Sequence, residues 1–142
     1  MIKAVNVADP EDLAKVYSIR EQVFVVEQQV PRDAEYDQFE PTARHYLAEL
    51  DGIPCGAARW RETEKGIKLE RFAVLEPYRN KQVGAKLLQA VLDDIKNVQA
   101  SPCIYLHAQL PAVNFYKRHG FKTEGDMFVE CDIKHYKMIY TG

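Results

Sequence analysis

A mixed α/β sheet with helices on its faces is the fold this sequence predicts, and three observations predict it. Two turn signals at short spacing, Asp51-Gly52 and Glu64-Lys65-Gly66, join three strand-like runs into an antiparallel meander. A long amphipathic helix separates the strand Ile67–Leu75 from the strand Cys103–Ala108, which makes that pair parallel. A first strand followed by a capped helix completes the alternation of strands and helices.

Ile2–Val7 reads as the first strand. Asp9-Pro10-Glu11-Asp12 is a helix start, with Asp9 as N-cap, Pro10 at the first helical position and acids in the first turn. Leu13, Val16, Tyr17, Ile19, Val23 and Phe24 recur at helical spacing as far as Val26. Glu27–Pro41 is polar, acidic and broken by Pro31 and Pro41, so it reads as a loop with at most a short helix, lying over one end of the domain. His45–Leu50, Ile53–Glu62 and Ile67–Leu75 form the meander. In the helix that follows, Val83, Leu87, Leu88, Val91, Leu92 and Ile95 make one face, and Lys86, Gln89, Asp93, Asp94 and Lys96 the other. Ser101-Pro102 ends the connection to Cys103–Ala108. Pro111 opens a further helix and Gly120 closes it as a C-cap. Phe121–Gly125 and Ile133–Tyr140 form a last antiparallel pair.

At 142 residues, with 46% hydrophobic and 28% charged, the chain fits one domain over residues 1–142 with its own core. A net charge of −2 gives no basic field for nucleic acid or an anionic membrane. Three scattered cysteines argue against a disulfide framework and a structural zinc site, and fit a reducing cytoplasm. No apolar run has the length of a signal peptide or a membrane span.

Chemistry concentrates in Leu69–Ile95. A strand runs into a loop with Arg79, Lys81 and Gly84, and the loop opens a helix. Unpaired N–H groups and positive charge then meet at a helix N-terminus, where a phosphate docks. Gly84 and Ala85 give room for close backbone approach, and Arg79, Lys81 and Lys86 supply charge. An ordinary strand–helix turn with solvated cations fits the same residues. No Gly-Lys-Ser/Thr follows a Gly-rich run, and the dinucleotide fingerprint is absent.

Leu69–Leu88 resembles the acyl-CoA-binding motif of the GNAT acetyltransferase superfamily: Ala73-Val74 ends the strand, and Arg79-Asn80-Lys81-Gln82-Val83-Gly84 opens the helix. Gln82 stands where the first motif glycine is usual; with a helical φ its N–H still donates. Asn114-Phe115-Tyr116-Lys117-Arg118-His119-Gly120-Phe121 is similar to a later motif of that family. Arg20–Gln28, with Pro31, Glu35, Asp37 and His45 following and Phe128, Glu130, Ile133, His135 and Met138 near the end, looks like the small bacterial YjcF/ElaA-like subgroup.

The resemblance implies a mostly antiparallel sheet of about six to seven strands, flanked by about four helices. In it, splayed parallel strands form the acyl-CoA cleft. It implies acetyl-CoA as donor, held by Phe72, Ala73, Val74, Arg79, Lys81, Gln82, Val83, Gly84, Ala85, Lys86 and Asn114, with no metal. A primary amine of a small molecule attacks the thioester directly, backbone N–H near Val74 stabilises the charged intermediate, and Tyr116 protonates the leaving thiolate. An amine with a pKa of about 10 needs a base. Glu70 is preferred, on the face of Phe72 and Val74; a cross-strand partner of Arg59 or Arg61 is the other reading of that residue. Glu27, Glu35, Asp37, His45 and His107 are further candidates for the base. Arg20, Phe24, Glu27, Glu35, Asp37 and His45 are the candidate acceptor residues, and the acidic segment favours a cationic amine. A homodimer stays open, and so does the alternative of a non-catalytic acyl-CoA sensor.

Overall fold

The computed structural model describes residues 1–100 and 102–142, so the expected stop at Ser101 lies outside the described residues. β1 (Ile2–Val7), β2 (Arg44–Leu50), β3 (Ile53–Thr63), β4 (Gly66–Val74), β5 (Ile104–Gln109), β6 (Phe121–Glu130) and β7 (Ile133–Tyr140) form one sheet in the order β1-β2-β3-β4-β5-β7-β6. Every neighbouring pair is antiparallel except β4–β5. The helices are α1 (Pro10–Arg20), α2 (Arg32–Glu35), α3 (Val83–Val98) and α4 (Val113–Arg118).

Asp9 caps α1, accepting hydrogen bonds from the N–H groups of Glu11 and Asp12. The helical spacing carries on past α1 as a π-helical segment, Glu21–Glu27, whose wider turn ends over the cleft described below. α3 buries Val83, Leu87, Leu88, Val91, Leu92 and Ile95, the face its period prescribes. It sits close on β3: a Cβ added at Gly56 would stand 3.0 Å from side-chain atoms of Leu87 and Val83. That contact sets the start of α3 beside the end of β4. α3 and α4 share one core with Trp60, Leu69 and Phe121, and α1 covers a second core containing Leu47, Ala57 and Ala73 on the other face of the sheet.

Two boundaries differ from the sequence expectation. β6 runs to Glu130 instead of stopping at Gly125. Gly125, at φ +79°, lies in a bulge where the register with β7 slips, and pairing resumes at Phe128–His135. Pro111 opens a 3₁₀ turn, Leu110–Ala112, and α4 proper starts at Val113.

Candidate functional site

The site begins where the sheet forks. β4 and β5 are in register only at Ile67–Ile104, Lys68–Tyr105 and Leu69–Leu106, although β4 stays beside β3 as far as Val74. Among the described residues, the edge of β4 from Glu70 onward has no strand partner on the β5 side. A bulge lies at the fork: Arg71 has φ +58°, and the steps from Glu70 to Ala73 oppose the shorter run from Arg59 to Ala57. The extra residue inverts the alternation of side chains. Leu69, Phe72 and Val74 pack with the α3 core, whereas Ala73 packs with the α1 core. Glu70, expected to share the face of Phe72 and Val74, therefore lies on the opposite face.

The loop after β4 delivers α3 with its first turn open. Gln82 takes a left-handed conformation, φ +72°, and so does not meet the condition of a helical φ on which its N–H was read as still donating; it occupies a glycine's conformation with a side chain attached. No side chain caps the helix, and the first helical bond runs from Lys86 N–H to Gln82 O at 3.1 Å. The N–H groups of Val83, Gly84 and Ala85 are thus left for another acceptor. The Phe115 ring of α4 lies 3.5 Å from where a Gly84 Cβ would stand. Arg79 is not a free cation. Its Nε donates to Val74 O at 2.8 Å, and its two terminal nitrogens each meet a Glu27 carboxylate oxygen at 2.7 Å. Glu27, expected at the acceptor entrance, instead ties the π segment to the donor loop. Its carboxyl is held below the ordinary range by the Arg79 hydrogen bond. Lys81, Lys86 and Asn114 are exposed.

A cleft of about 390 Å³ lies along the fork. Phe24, Glu35, Asp37, Glu70, Phe72 and Tyr116 line it, while Arg20, Glu27 and His45 do not. Tyr116 is 7% exposed, and its ring stands edge-on to Phe72 with centroids 6.2 Å apart. Burial alone pushes its hydroxyl well above the ordinary value, so it keeps its proton across the physiological range. His107 follows the last β4–β5 pair, and its Nδ1 lies 3.0 Å from Glu130 Oε1. Glu130 is thereby held below the ordinary carboxylate range, chiefly by the His107 hydrogen bond. Gln28 and Gln109 join across one end of the cleft, with Gln109 Nε2 2.9 Å from Gln28 Oε1.

The acidic segment is neutralised from below. Arg20, wholly buried, donates through Nε to Glu35 at 2.7 Å and through its terminal nitrogens to Glu40 at 2.8 and 2.7 Å. Arg59, also wholly buried, reaches Asp37 at 2.7 Å, Glu40 at 2.9 Å and Glu70 at 2.9 Å. Arg71 bonds Glu35 at 3.1 Å and Asp37 at 3.2 Å. Burial lifts the Asp37 carboxyl, but the hydrogen bonds and charge of Arg59 outweigh it and leave it at about 2. Glu70 follows the same balance: burial raises it, and Arg61, Arg59 and Lys68 together bring it below the ordinary value. At Glu35 burial wins over Arg71 and Arg20, and the carboxyl is raised. The segment thus offers little open negative charge to a cationic amine. Arg20, expected to face an acceptor, is a buried anchor. His45 is buried beneath Glu40, with Nε2 2.9 Å from the Glu40 carbonyl, and burial lowers its pKa.

Comparison with known proteins places this geometry. Residues 8–141 match the family model described as acetyltransferase (GNAT) domain. The chain belongs to the GNAT acetyltransferase family. It is 37% identical over 139 residues to the uncharacterized N-acetyltransferase YjcF of Bacillus subtilis, covering 97% of this chain and 99% of that protein. The Escherichia coli ElaA crystal structure superposes with a TM-score of 0.88 at 26% identity over 99% of each chain. Arabidopsis thaliana Naa50, solved with a bisubstrate analogue, CoA-Ac-MVNAL, superposes with a TM-score of 0.73 at 26% identity over 96% of this chain and 97% of that one. The protein is accordingly a GNAT-type acyltransferase, and its sheet, mostly antiparallel with one parallel pair, is the GNAT fold.

Within that GNAT frame, several residues of the site carry no local signal. Glu130 meets His107 only because β6 and β5 both flank β7. Glu40 and Arg59 are joined by the packing of the loop over β3. The positive φ of Arg71, which turns Glu70 away, leaves no mark on the hydrophobic period.

Proposed function

We propose that the protein transfers an acetyl group from acetyl-CoA to the primary amine of a small molecule, by direct attack within a ternary complex. The observation that carries this reading is the fork itself: an open β4 edge, an uncapped α3 N-terminus at one end and Tyr116 in the cleft. The fit to the donor is chemical. Free N–H groups of Val83, Gly84 and Ala85, with the exposed Lys81 and Lys86 beside them, suit a diphosphate. The backbone of Phe72–Val74 suits an extended amide-bearing arm. Asn114, exposed on α4 beside the Phe115 that faces Gly84, is kept in this reading as a further donor contact.

Tyr116 is the general acid in this reading. Its protonated hydroxyl supplies the departing thiolate with a proton, and backbone N–H groups released at the bulge receive the developing oxyanion. For the base, Glu70 is the poorer choice in this setting, because three cations hold it in the charged form and weaken it as a proton acceptor. His107 fits better. Glu130 accepts from Nδ1–H, which leaves the Nε2 lone pair free at the fork to take a proton from the incoming ammonium. Phe24, Glu35 and Asp37 form the wall opposite the thioester. Two exposed free thiols, Cys103 and Cys131, support a reducing compartment such as the cytoplasm.

Steady-state release of CoA tests the assignment. His107→Ala is expected to lower kcat/KM for the amine by at least about tenfold and to flatten the rise of rate with pH. Glu70→Gln is expected to leave the shape of that profile unchanged. The opposite pattern returns the base to Glu70.

A further inference from the structure

On the Glu70 face of β4, the floor of the cleft leaves donors of two cations unfilled. Glu70 is one carboxylate with three positive neighbours: Arg59 at 2.9 Å, Arg61 at 2.8 Å and Lys68 at 3.3 Å. Arg59 is also engaged by Asp37 and Glu40. Arg61 spends Nε and one terminal nitrogen on Glu70 and stacks on the Phe39 ring at 3.7 Å, which leaves its other terminal nitrogen without a described partner. The ammonium of Lys68 has three donors, and Glu70 is its one described ion-pair partner. Both side chains are 18% exposed, so solvent screens them weakly. The remaining acids leave these donors unfilled: Glu130 bonds His107 and feels the charge of Lys68 without a hydrogen bond to it, and Glu62 and Glu64 are exposed on the wall of the neighbouring cavity. Past Lys68 the floor opens into a second cavity of about 720 Å³, lined by Lys65 and Lys137 as well as by Glu62 and Glu64, with Lys137 paired to Glu124 at 3.2 Å; Arg61, Lys68 and His107 line both spaces.

We propose that the acceptor amine carries a carboxylate, and that Lys68 and Arg61 receive it. The inference rests on the acetyl-transfer reading above. A carboxylate there takes the free donors of both side chains, whereas a second ammonium would face Lys68 and Arg61 unpaired. Spacing narrows the class. Lys68 lies opposite Tyr105, and His107 is one strand repeat further along the same face, about 7 Å away. An amine deprotonated at His107 and a carboxylate held at Lys68 are then separated by a short aliphatic chain, as in an ω-amino acid or the side chain of an acidic amino acid. His107 takes one proton from the ammonium, the freed nitrogen bonds the acetyl carbon, the C–S bond breaks as Tyr116 gives its proton to sulfur, the second proton leaving nitrogen restores the Tyr116 hydroxyl, and His107 releases its proton to solvent. The reaction leaves an N-acetyl acid and free CoA.

The test compares three amines of one length at saturating acetyl-CoA: 4-aminobutyrate, its amide, and 1,4-diaminobutane. The acid is expected to exceed both others in kcat/KM by about tenfold or more, with the advantage shrinking as salt rises. Lys68→Met should bring the ratio of acid to amide close to one, and Lys68→Arg should keep most of it. Use of the amide or the diamine as efficiently as the acid by the wild-type protein overturns this inference and leaves acetyl transfer standing. No release of CoA with these three or with a wider amine panel, despite acetyl-CoA binding, overturns both.

Discussion

At Gln82 a side chain sits on backbone that glycine adopts freely. The left-handed conformation costs a residue with a Cβ about 1 kcal/mol, and a glycine returns part of this as extra unfolded-state entropy. Gln82→Gly is therefore expected to raise stability by about 0.5 kcal/mol in urea unfolding, and a loss would contradict the assigned conformation. Tyr116→Phe keeps the ring packed on Phe72 and removes the proton. We expect kcat to fall at least about tenfold, with the KM for acetyl-CoA changed by less than about twofold; an unaltered kcat hands protonation to water or another group. The placement of Tyr116 beside the cleft and of the loop that opens α3 was legible in the sequence because each belongs to a contiguous motif. The face of Glu70 was not, since one positive φ at Arg71 reverses every side chain after it. The role of Arg20 was hidden for a related reason: two of its partners, Glu35 and Glu40, reach it only after the intervening chain has folded back.

Among the elements, α3 was the most legible, because its 3.6-residue period survives into the buried face unchanged. Leu87 is wholly buried in that face, and Leu87→Ala is expected to cost about 3 kcal/mol, measured by denaturant unfolding. The segment between the π turn and β2 was the least legible. Its acids suggested an open negative surface, yet buried arginines from α1 and β3 collect them. That arrangement has a sign in pH. Asp37, at about 2 against an ordinary 3.8, is more acidic folded than unfolded, so its contribution is present above about pH 4 and lost as pH falls toward 2. The full contribution is about 2 kcal/mol, of which about 1 kcal/mol is gone by pH 3. Glu40 and Glu70 are lowered too and act in the same direction, while Glu35, raised by burial, acts against them. Comparing wild type with Asp37→Asn at pH 6 and pH 3 checks this: the variant should lose about 1 kcal/mol less on acidification. Equal losses would remove Asp37 from the account.

Across the whole molecule, the proposed function divides the work between the two faces of the sheet. In that proposal the α3 face and the open edge of β4 serve the donor, which a sequence can announce, because backbone at fixed motif positions would hold phosphate and pantetheine. The other face and its arginine-rich floor are proposed to serve the acceptor. That side is assembled from α1, the acidic loop, β3, β4, β5 and β6, so its net character emerges only when the charges are paired in space. The acids that suggested a cationic acceptor are paired there by buried arginines, and Lys68 and Arg61 keep donors that the pairing leaves unfilled. No described helix is long and apolar enough to cross a membrane. The central claim is that the fork is a working acetyl-transfer site, and the most direct measurement follows acetyl-CoA with a panel of acidic, neutral and cationic primary amines, reading free CoA by thiol titration and the amine product by mass. One CoA is expected for each amine acetylated, with a rate that depends on amine concentration. Saturable binding of acetyl-CoA with no acetylated product from any amine would contradict it.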